Sequence, residues 1–396
     1  MTYQDLLFLL SKEGKELTNH LSEKVSDGKI KADFILRLKK NYPGINIRSI
    51  VEIIMLRKRA EEKFKKASEM WFTKDGLEQS TREDVARYVA KRFKPYNNVA
   101  DLTCGIGGNS IALAEYSNIT AVDKDEVVLK MAEENAKVYL ADKKITFIND
   151  YAENIDLSTF DAVFLDPSRR DIKLNTRTTS LRNSTPSLIS FLPKILSQVG
   201  HVGVKVSPAV NYEEIYKLSE IPEIEVIAEE NECKQIMLWF GNLKTTERRA
   251  TILPYEISFT NSTEKLEVPI SEPLNYILEP NCAIIRAHLI DELANEYDLK
   301  KIDPDIAYLT SNIKPFLKND FIFKTFKVME ISKYNIKNLK KKLRDLKIKN
   351  INITRRGFPK KPEEIRKLLK IKEGGDFFLL LTRIGDKHYQ IIAKRI

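Results

Sequence analysis

Four short apolar runs in succession each end on, or close to, an acid: "NVADLTCGIGG", "ITAVDKD", "KITFIND" and "FDAVFLDPSRRD". Helical segments, "GGNSIALAEY" and "DEVVLKMAEENAKVYLA", separate the first three. A chain that alternates in this way builds a parallel sheet with helices on both faces. In such a sheet the carboxyl ends of the strands share one edge, where ligands bind. The acids Asp101, Asp123, Asp150 and Asp166 therefore belong to one neighbourhood.

The turn after the first run carries Gly105 and Gly107 and opens a helix, so its backbone can approach a ligand closely. Asp123, sixteen residues beyond Gly107, can accept both hydroxyls of a ribose. The dinucleotide fingerprint G-x-G-x-x-G is not met, because Ser110 stands at its third glycine. Asp101 would repel a pyrophosphate but suits the amino group of a methionine moiety. Asp150 could accept a hydrogen bond from an adenine amino group. A structural glycine turn with solvated strand-end acids is the plainer alternative, but four tips in order argue for a nucleoside-plus-amino-acid ligand.

These stretches resemble the successive motifs of class I S-adenosylmethionine-dependent methyltransferases. The chain is further similar to bacterial proteins that join such a domain to a C-terminal THUMP-like domain, through "GLEQST", "DPSRR", "VKVSP", "RRATIL", "EPNCAIIRAHL", "IAYLTS", "TRRGF" and "LLLTR". The resemblance implies an α/β fold with a Rossmann-like seven-stranded sheet, an N-terminal helical region, and ferredoxin-like and THUMP-like α+β domains. The expected boundaries are 1–75 for the helical region, 76–255 for the methyltransferase domain, 270–318 for the ferredoxin-like domain and 319–396 for the basic THUMP-like domain. It implies S-adenosylmethionine as cofactor, held by Asp101, Thr103, Gly105, Gly107, Asp123, Asp150 and Asp166. Thr103 stands where such enzymes often have another glycine, and a small residue fits there.

In enzymes of this class that methylate amino groups of bases, the fourth strand often ends in Asp/Asn-Pro-Pro and an aromatic. Here Asp166 and Pro167 remain, whereas Ser168, Arg169 and Arg170 replace the aromatic. The expected catalytic residues are Asp166 and Pro167, which supply an acceptor and a rigid backbone, and Arg169, which can stack on a base or grip a phosphate. The arginines could equally pair with Asp166 or Asp171 as loop structure. C5 methylation of a pyrimidine normally needs a cysteine nucleophile. "VKVSPAV" holds none, and packing accounts better for Cys104. Direct transfer to a nitrogen or a ribose oxygen is the expectation, driven mainly by orientation.

Charge locates a second expected function. Residues 319–396 hold 22 Lys and Arg against 8 Asp and Glu, a balance of +14 in a chain whose net charge is +10. Clustered cations in "KNLKKKLRDLKIKN" and "NITRRGFPKK" read as an RNA-binding face, with Lys341, Lys342, Arg355 and Arg356 as its contacts, lysines and arginines on phosphates and an arginine or Phe358 stacking on an unpaired base. An ordinary solvated lysine-rich surface is the alternative. The partner expected is RNA, tRNA or rRNA; oligomeric state is undetermined. A methyltransferase of proteins or small molecules, or a binding protein without turnover, are the competing readings.

Three cysteines and four histidines at unrelated spacings form neither a disulfide framework nor a metal motif. No apolar run reaches 18 residues, and the N-terminus does not read as a signal peptide, so a cytoplasmic protein is expected. "GLEQSTREDVARYVAKRF" predicts a helix opened by a Ser80–Glu83 capping box, with Val85, Tyr88, Val89 and Phe93 on one face.

Overall fold

The computed structural model describes residues 1–24, 32–168, 170–171, 176–177, 179–314 and 321–396, and the chain divides into two compact units. The first comprises residues 1–222 and 237–245. Its sheet is built from β1 (Asn98–Asp101), β2 (Asn118–Asp123), β3 (Ile145–Asn149), β4 (Ala162–Leu165) and β5 (Val202–Val206). They lie in the order β3-β2-β1-β4-β5, every neighbouring pair parallel. The C-terminal half of strand Glu232–Phe240 follows β5 in this sheet. Every residue of β4 and β5 is buried, as expected for strands covered on both faces.

The expected alternation of strand and helix is thus realised. Gly108–Leu113 follows β1 and Glu126–Val138 follows β2, the latter capped by Asp125, whose carboxylate accepts the N–H groups of Val127 and Val128. Gly107 has φ +87°, and a Cβ there would lie 3.1 Å from the Cβ of Ala132, so only glycine lets the turn settle on the second helix.

The centre of the sheet packs Phe93 against Phe164 and Trp239, with ring centroids 6.1 and 5.8 Å apart. Gly203 on β5 leaves the room: a Cβ would approach Trp239 to 2.7 Å and Phe93 to 2.9 Å. Gly203→Ala is therefore expected to destabilise the protein by about 1–3 kcal/mol through overpacking. Urea unfolding at fixed pH measures it.

Helices Tyr3–Leu10, Lys12–Lys24, Ala32–Asn41 and Ile47–Ala60 form the N-terminal region, broken at Pro43-Gly44 as expected. Leu6, Leu9, Leu17, Leu21, Ile50 and Ile54 pack with Trp71 and Met131, so this region shares a core with the methyltransferase-like part of its unit. The capping box does not form. The helix begins at Glu83, the Ser80 hydroxyl donates to the Leu77 carbonyl, and Glu83 accepts from the Lys65 N–H and the Tyr139 hydroxyl. Long-range partners outcompete the local cap. The apolar face survives, with Val85, Val89 and Phe93 buried.

The second unit comprises residues 223–236 and 246–396. Glu223–Glu229 turns through Glu230 and Asn231 into Glu232–Phe240, the expected hairpin. Glu223–Glu229 also pairs in parallel with Arg248–Leu253, which pairs antiparallel with Ile257–Thr260. Tyr276–Pro280, Phe323–Lys333, Lys387–Arg395, Phe377–Ile384 and Asn352–Arg356 follow one another in a seven-stranded sheet whose other edge is Leu309–Ser311 and Lys300–Lys301. Residues expected as separate ferredoxin-like and THUMP-like domains thus share one sheet. Helices Ile336–Asp345 and Pro362–Leu369 pack on it through Leu339, Leu343 and Ile365.

Candidate active site

A cavity of about 990 Å³ opens at the carboxyl ends of β1, β2 and β4 in the first unit. That is the size of a site for a nucleotide-like ligand. Thr103, Cys104, Gly105, Gly108, Asp123, Tyr151, Asp166, Pro167 and Ser168 line it. Five expected site residues therefore meet in one wall: Thr103, Gly105, Asp123, Asp166 and Pro167. Asp123 accepts the Gly105 N–H on one carboxylate oxygen at 3.0 Å and the Asp125 N–H on the other at 2.9 Å. Each oxygen keeps a second lone pair for a ligand hydroxyl. Burial pushes the Asp123 carboxyl above its ordinary range, and the two N–H donors restrain the shift.

Thr103 is more than a small residue that fits. Its hydroxyl accepts the Asp166 N–H at 2.8 Å and so ties the tip of β4 to the turn after β1. Ser168 and Thr185 exchange both backbone hydrogen bonds at 2.9 Å, which pins the Asp166-Pro167-Ser168 corner from its other side. Arg169 lies outside the described residues.

Three expected contacts are arranged differently. Asp101 is fully buried and does not line the cavity; it accepts the Ser110 hydroxyl at 2.6 Å and the Thr103 N–H at 3.3 Å, bracing the turn from beneath. Gly107 serves the packing of the turn on Ala132, and it too stands outside the cavity wall. Asp150 accepts the Tyr151 N–H and the Asn154 amide, both at 2.7 Å, and the wall beside it is formed by Tyr151 and Ala152. A strand-tip acid has its own backbone turn to satisfy, and sequence spacing does not distinguish that duty from ligand binding.

Burial raises the Asp101 carboxyl from 3.8 to about 7; its hydrogen bonds from Ser110 and Thr103 oppose this, and the charges of Asp166 and Asp123 add to it. Its folded value lies above its unfolded value, so the folded protein retains a proton that the unfolded chain releases between about pH 4 and 7. The stability contributed by this group is full below about pH 4 and is lost as pH rises through 7. Asp101→Asn is expected to flatten that limb, as urea unfolding of both proteins at pH 5 and pH 7.5 would measure.

Sequence reasoning missed two parts of the site. Residues 73–81 line the cavity through Thr73, Lys74, Gly76, Ser80 and Thr81. The chain just ahead of them is fixed by Asn135, whose fully buried amide accepts the Trp71 N–H at 2.7 Å and donates to the carbonyls of Trp71 and Ile106. The only signal was "GLEQST", noted as a stretch of resemblance. The second is Lys205, a lysine between two buried valines on β5, whose Nζ lies 2.7 Å from Asp166 Oδ2. Cys104 is buried, and burial with Asp101 and Asp123 beside it pushes its thiol upward, which disfavours a thiolate nucleophile.

In the second unit most of the expected RNA-binding cations already hold protein partners. Arg356 pairs with Glu279 at 2.7 Å and covers the Tyr308 ring, Arg355 donates to the Phe358 carbonyl, and Lys342 pairs with Glu330 at 2.9 Å. Lys341 is exposed. Phe358 is buried against Tyr334 and His388, so the expected stacking on an unpaired base is corrected: its ring serves the core. Among the described residues no cluster of His, Cys, Asp and Glu could hold a metal ion, and no helix is long and apolar enough to cross a membrane.

Comparison with known proteins agrees with this geometry. Residues 96–169 match the family model described as RNA cap guanine-N2 methyltransferase, and residues 323–395 match the model described as THUMP domain-like. Two uncharacterized S-adenosylmethionine-dependent methyltransferases, from Mycobacterium tuberculosis strains CDC 1551 and H37Rv, are each 29% identical over 348 residues, covering 85% of this chain and 92% of theirs. The crystal structure of a provisionally named methyltransferase from Porphyromonas gingivalis W83 superimposes with a TM-score of 0.80 at 21% identity, covering 98% of this chain and 99% of that one. The chain has the class I methyltransferase fold and carries a C-terminal THUMP-like domain.

Proposed function

We propose that this protein transfers the methyl group of S-adenosylmethionine to a nitrogen or a ribose oxygen of RNA by direct displacement. S-adenosylmethionine is the cofactor that the relatives' names specify, and the observation that carries the reading is the cavity wall of Gly105, Asp123, Asp166 and Pro167 at adjacent strand tips. In this reading Asp123 takes the ribose hydroxyls, the glycine turn admits the amino-acid moiety, and Asp166 faces the sulfonium methyl. The cofactor would supply the methyl group: a lone pair of the acceptor would take the methyl carbon, the electrons of the carbon–sulfur bond would stay on sulfur, and the acceptor's proton would pass to water. Orientation supplies most of the rate. The corner of Asp166 and Pro167 provides it by accepting a hydrogen bond from the acceptor's N–H or O–H.

RNA is favoured as substrate by the two matched family models and by the basic balance of residues 319–396. A protein or small-molecule acceptor is the second reading, favoured by the internal pairing of Arg355, Arg356 and Lys342. Mass-spectrometric comparison of modified nucleosides in total RNA from cells with and without the gene separates the two. The expected result is one methylated nucleoside that disappears with the gene and returns when the purified protein and cofactor are added to that RNA. Identical nucleoside profiles, with label entering protein or small molecules instead, would overturn the RNA assignment.

A further inference from the structure

We propose that Lys205 is a positioning residue for methyl transfer, acting through its ion pair with Asp166. This inference rests on the methyltransferase reading and adds to it a residue that the sequence offered only inside the stretch "VKVSP", with no role attached. Lysine is almost never buried unless paired. Lys205 is only 6% exposed, set on β5 between Val204 and Val206. Its Nζ donates to Asp166 Oδ2 at 2.7 Å and reaches the carbonyl of Gln79 at 3.4 Å. Lys205 does not line the cavity, whereas Asp166 does. Any influence on a reacting group therefore passes through its partners, Asp166 foremost.

The geometry says what that influence is. The Asp166 backbone is held by the Thr103 hydroxyl at 2.8 Å, and its carboxylate is held at Oδ2 by Lys205. With one oxygen engaged, rotation of the carboxylate is suppressed and Oδ1 is presented in a single direction, toward the acceptor's hydrogen. Charge points the same way. The charge of Asp166 acts on Asp101 at the tip of β1, and the ammonium on β5 offsets it from the opposite side of β4. The Gln79 carbonyl extends the same anchor to residues 73–81, which form another wall of the cavity. A lysine whose purpose was stability alone would be a poor choice here, since a buried ion pair is often no more stable than a well-packed apolar pair.

The test compares Lys205→Met, Lys205→Gln and Lys205→Arg in the full-length protein. Binding of S-adenosylhomocysteine is measured by calorimetry, and transfer of labelled methyl is measured into RNA from cells lacking the gene. Lys205→Met is expected to keep S-adenosylhomocysteine affinity within about threefold, and to lower kcat about a hundredfold with KM little changed, the scale of a misoriented reacting group. Lys205→Arg is expected to restore most of the lost rate, because a guanidinium can also bind a carboxylate. If Lys205→Met does not fold, Lys205→Gln, which keeps a donor without the charge on a side chain one atom shorter, takes its place. Undiminished kcat in the neutral variants would overturn the proposal, as would an equal loss in Lys205→Arg and Lys205→Met. Absence of transfer to RNA by the wild-type protein would count against RNA as substrate and not against Lys205. The proposal is then read from the carboxylate carbon resonance of Asp166 in protein labelled with ¹³C-aspartate. That resonance should move in Lys205→Met and stay near its wild-type position in Lys205→Arg, and an unmoved resonance in Lys205→Met would overturn it.

Discussion

Asp166→Ala is expected to lower the rate of methyl transfer about a hundredfold or more, with S-adenosylhomocysteine still bound within a few-fold of wild type. The side chain reaches the cavity from the tip of β4, whereas Asp123, the proposed ribose acceptor, comes from β2 on the opposite side of β1, so the two duties are separable. The same substitution has a structural cost. It leaves Lys205 buried without its carboxylate, and breaking a buried pair by removing one partner typically costs about 3–5 kcal/mol. The double variant Asp166→Ala/Lys205→Met is then expected to recover most of that stability and none of the rate. Urea unfolding and single-turnover transfer on the same preparations measure both. Recovery of rate with stability would mean that Asp166 acts only through folding.

Asp123→Ala is expected to weaken S-adenosylhomocysteine more than a hundredfold by calorimetry. A hydrogen bond to a charged group is worth about 1.5–3 kcal/mol, and two ribose hydroxyls would lose theirs together. The Gly105 N–H would also lose its acceptor, so the turn after β1 loosens where the ligand must pass closest to the backbone. Asp123→Asn, which keeps one acceptor oxygen, should fall between wild type and alanine. An unchanged affinity in Asp123→Ala would remove Asp123 from the ligand site.

The parts of this site that could be read from sequence are those fixed by local periodicity. The runs ending in Asp101, Asp123 and Asp166 are strands because short apolar segments alternate with helices, and parallel pairing then brings their tips to one edge. Gly105 and Gly107 mark the turn because both adopt positive φ. What escaped depended on partners far along the chain. Lys205 reads as an interruption of a valine strand until Asp166, 39 residues earlier, is seen beside it. Arg356 reads as a free cation until Glu279 arrives from 77 residues away. The Ser80–Glu83 box was a sound local signal, lost because Glu83 is claimed by Lys65 and Tyr139. Spacing placed Asp101 near the ligand but did not reveal that Ser110 and Thr103 would occupy its oxygens.

The most direct measurement is a crystal structure of the full-length protein grown with S-adenosylhomocysteine. The account predicts both ribose hydroxyls within hydrogen-bond distance of Asp123, the amino-acid moiety against the Gly105 turn, and the sulfur facing Asp166 and Pro167. A ligand seated elsewhere, or a cavity without it at saturating concentration, would contradict the account.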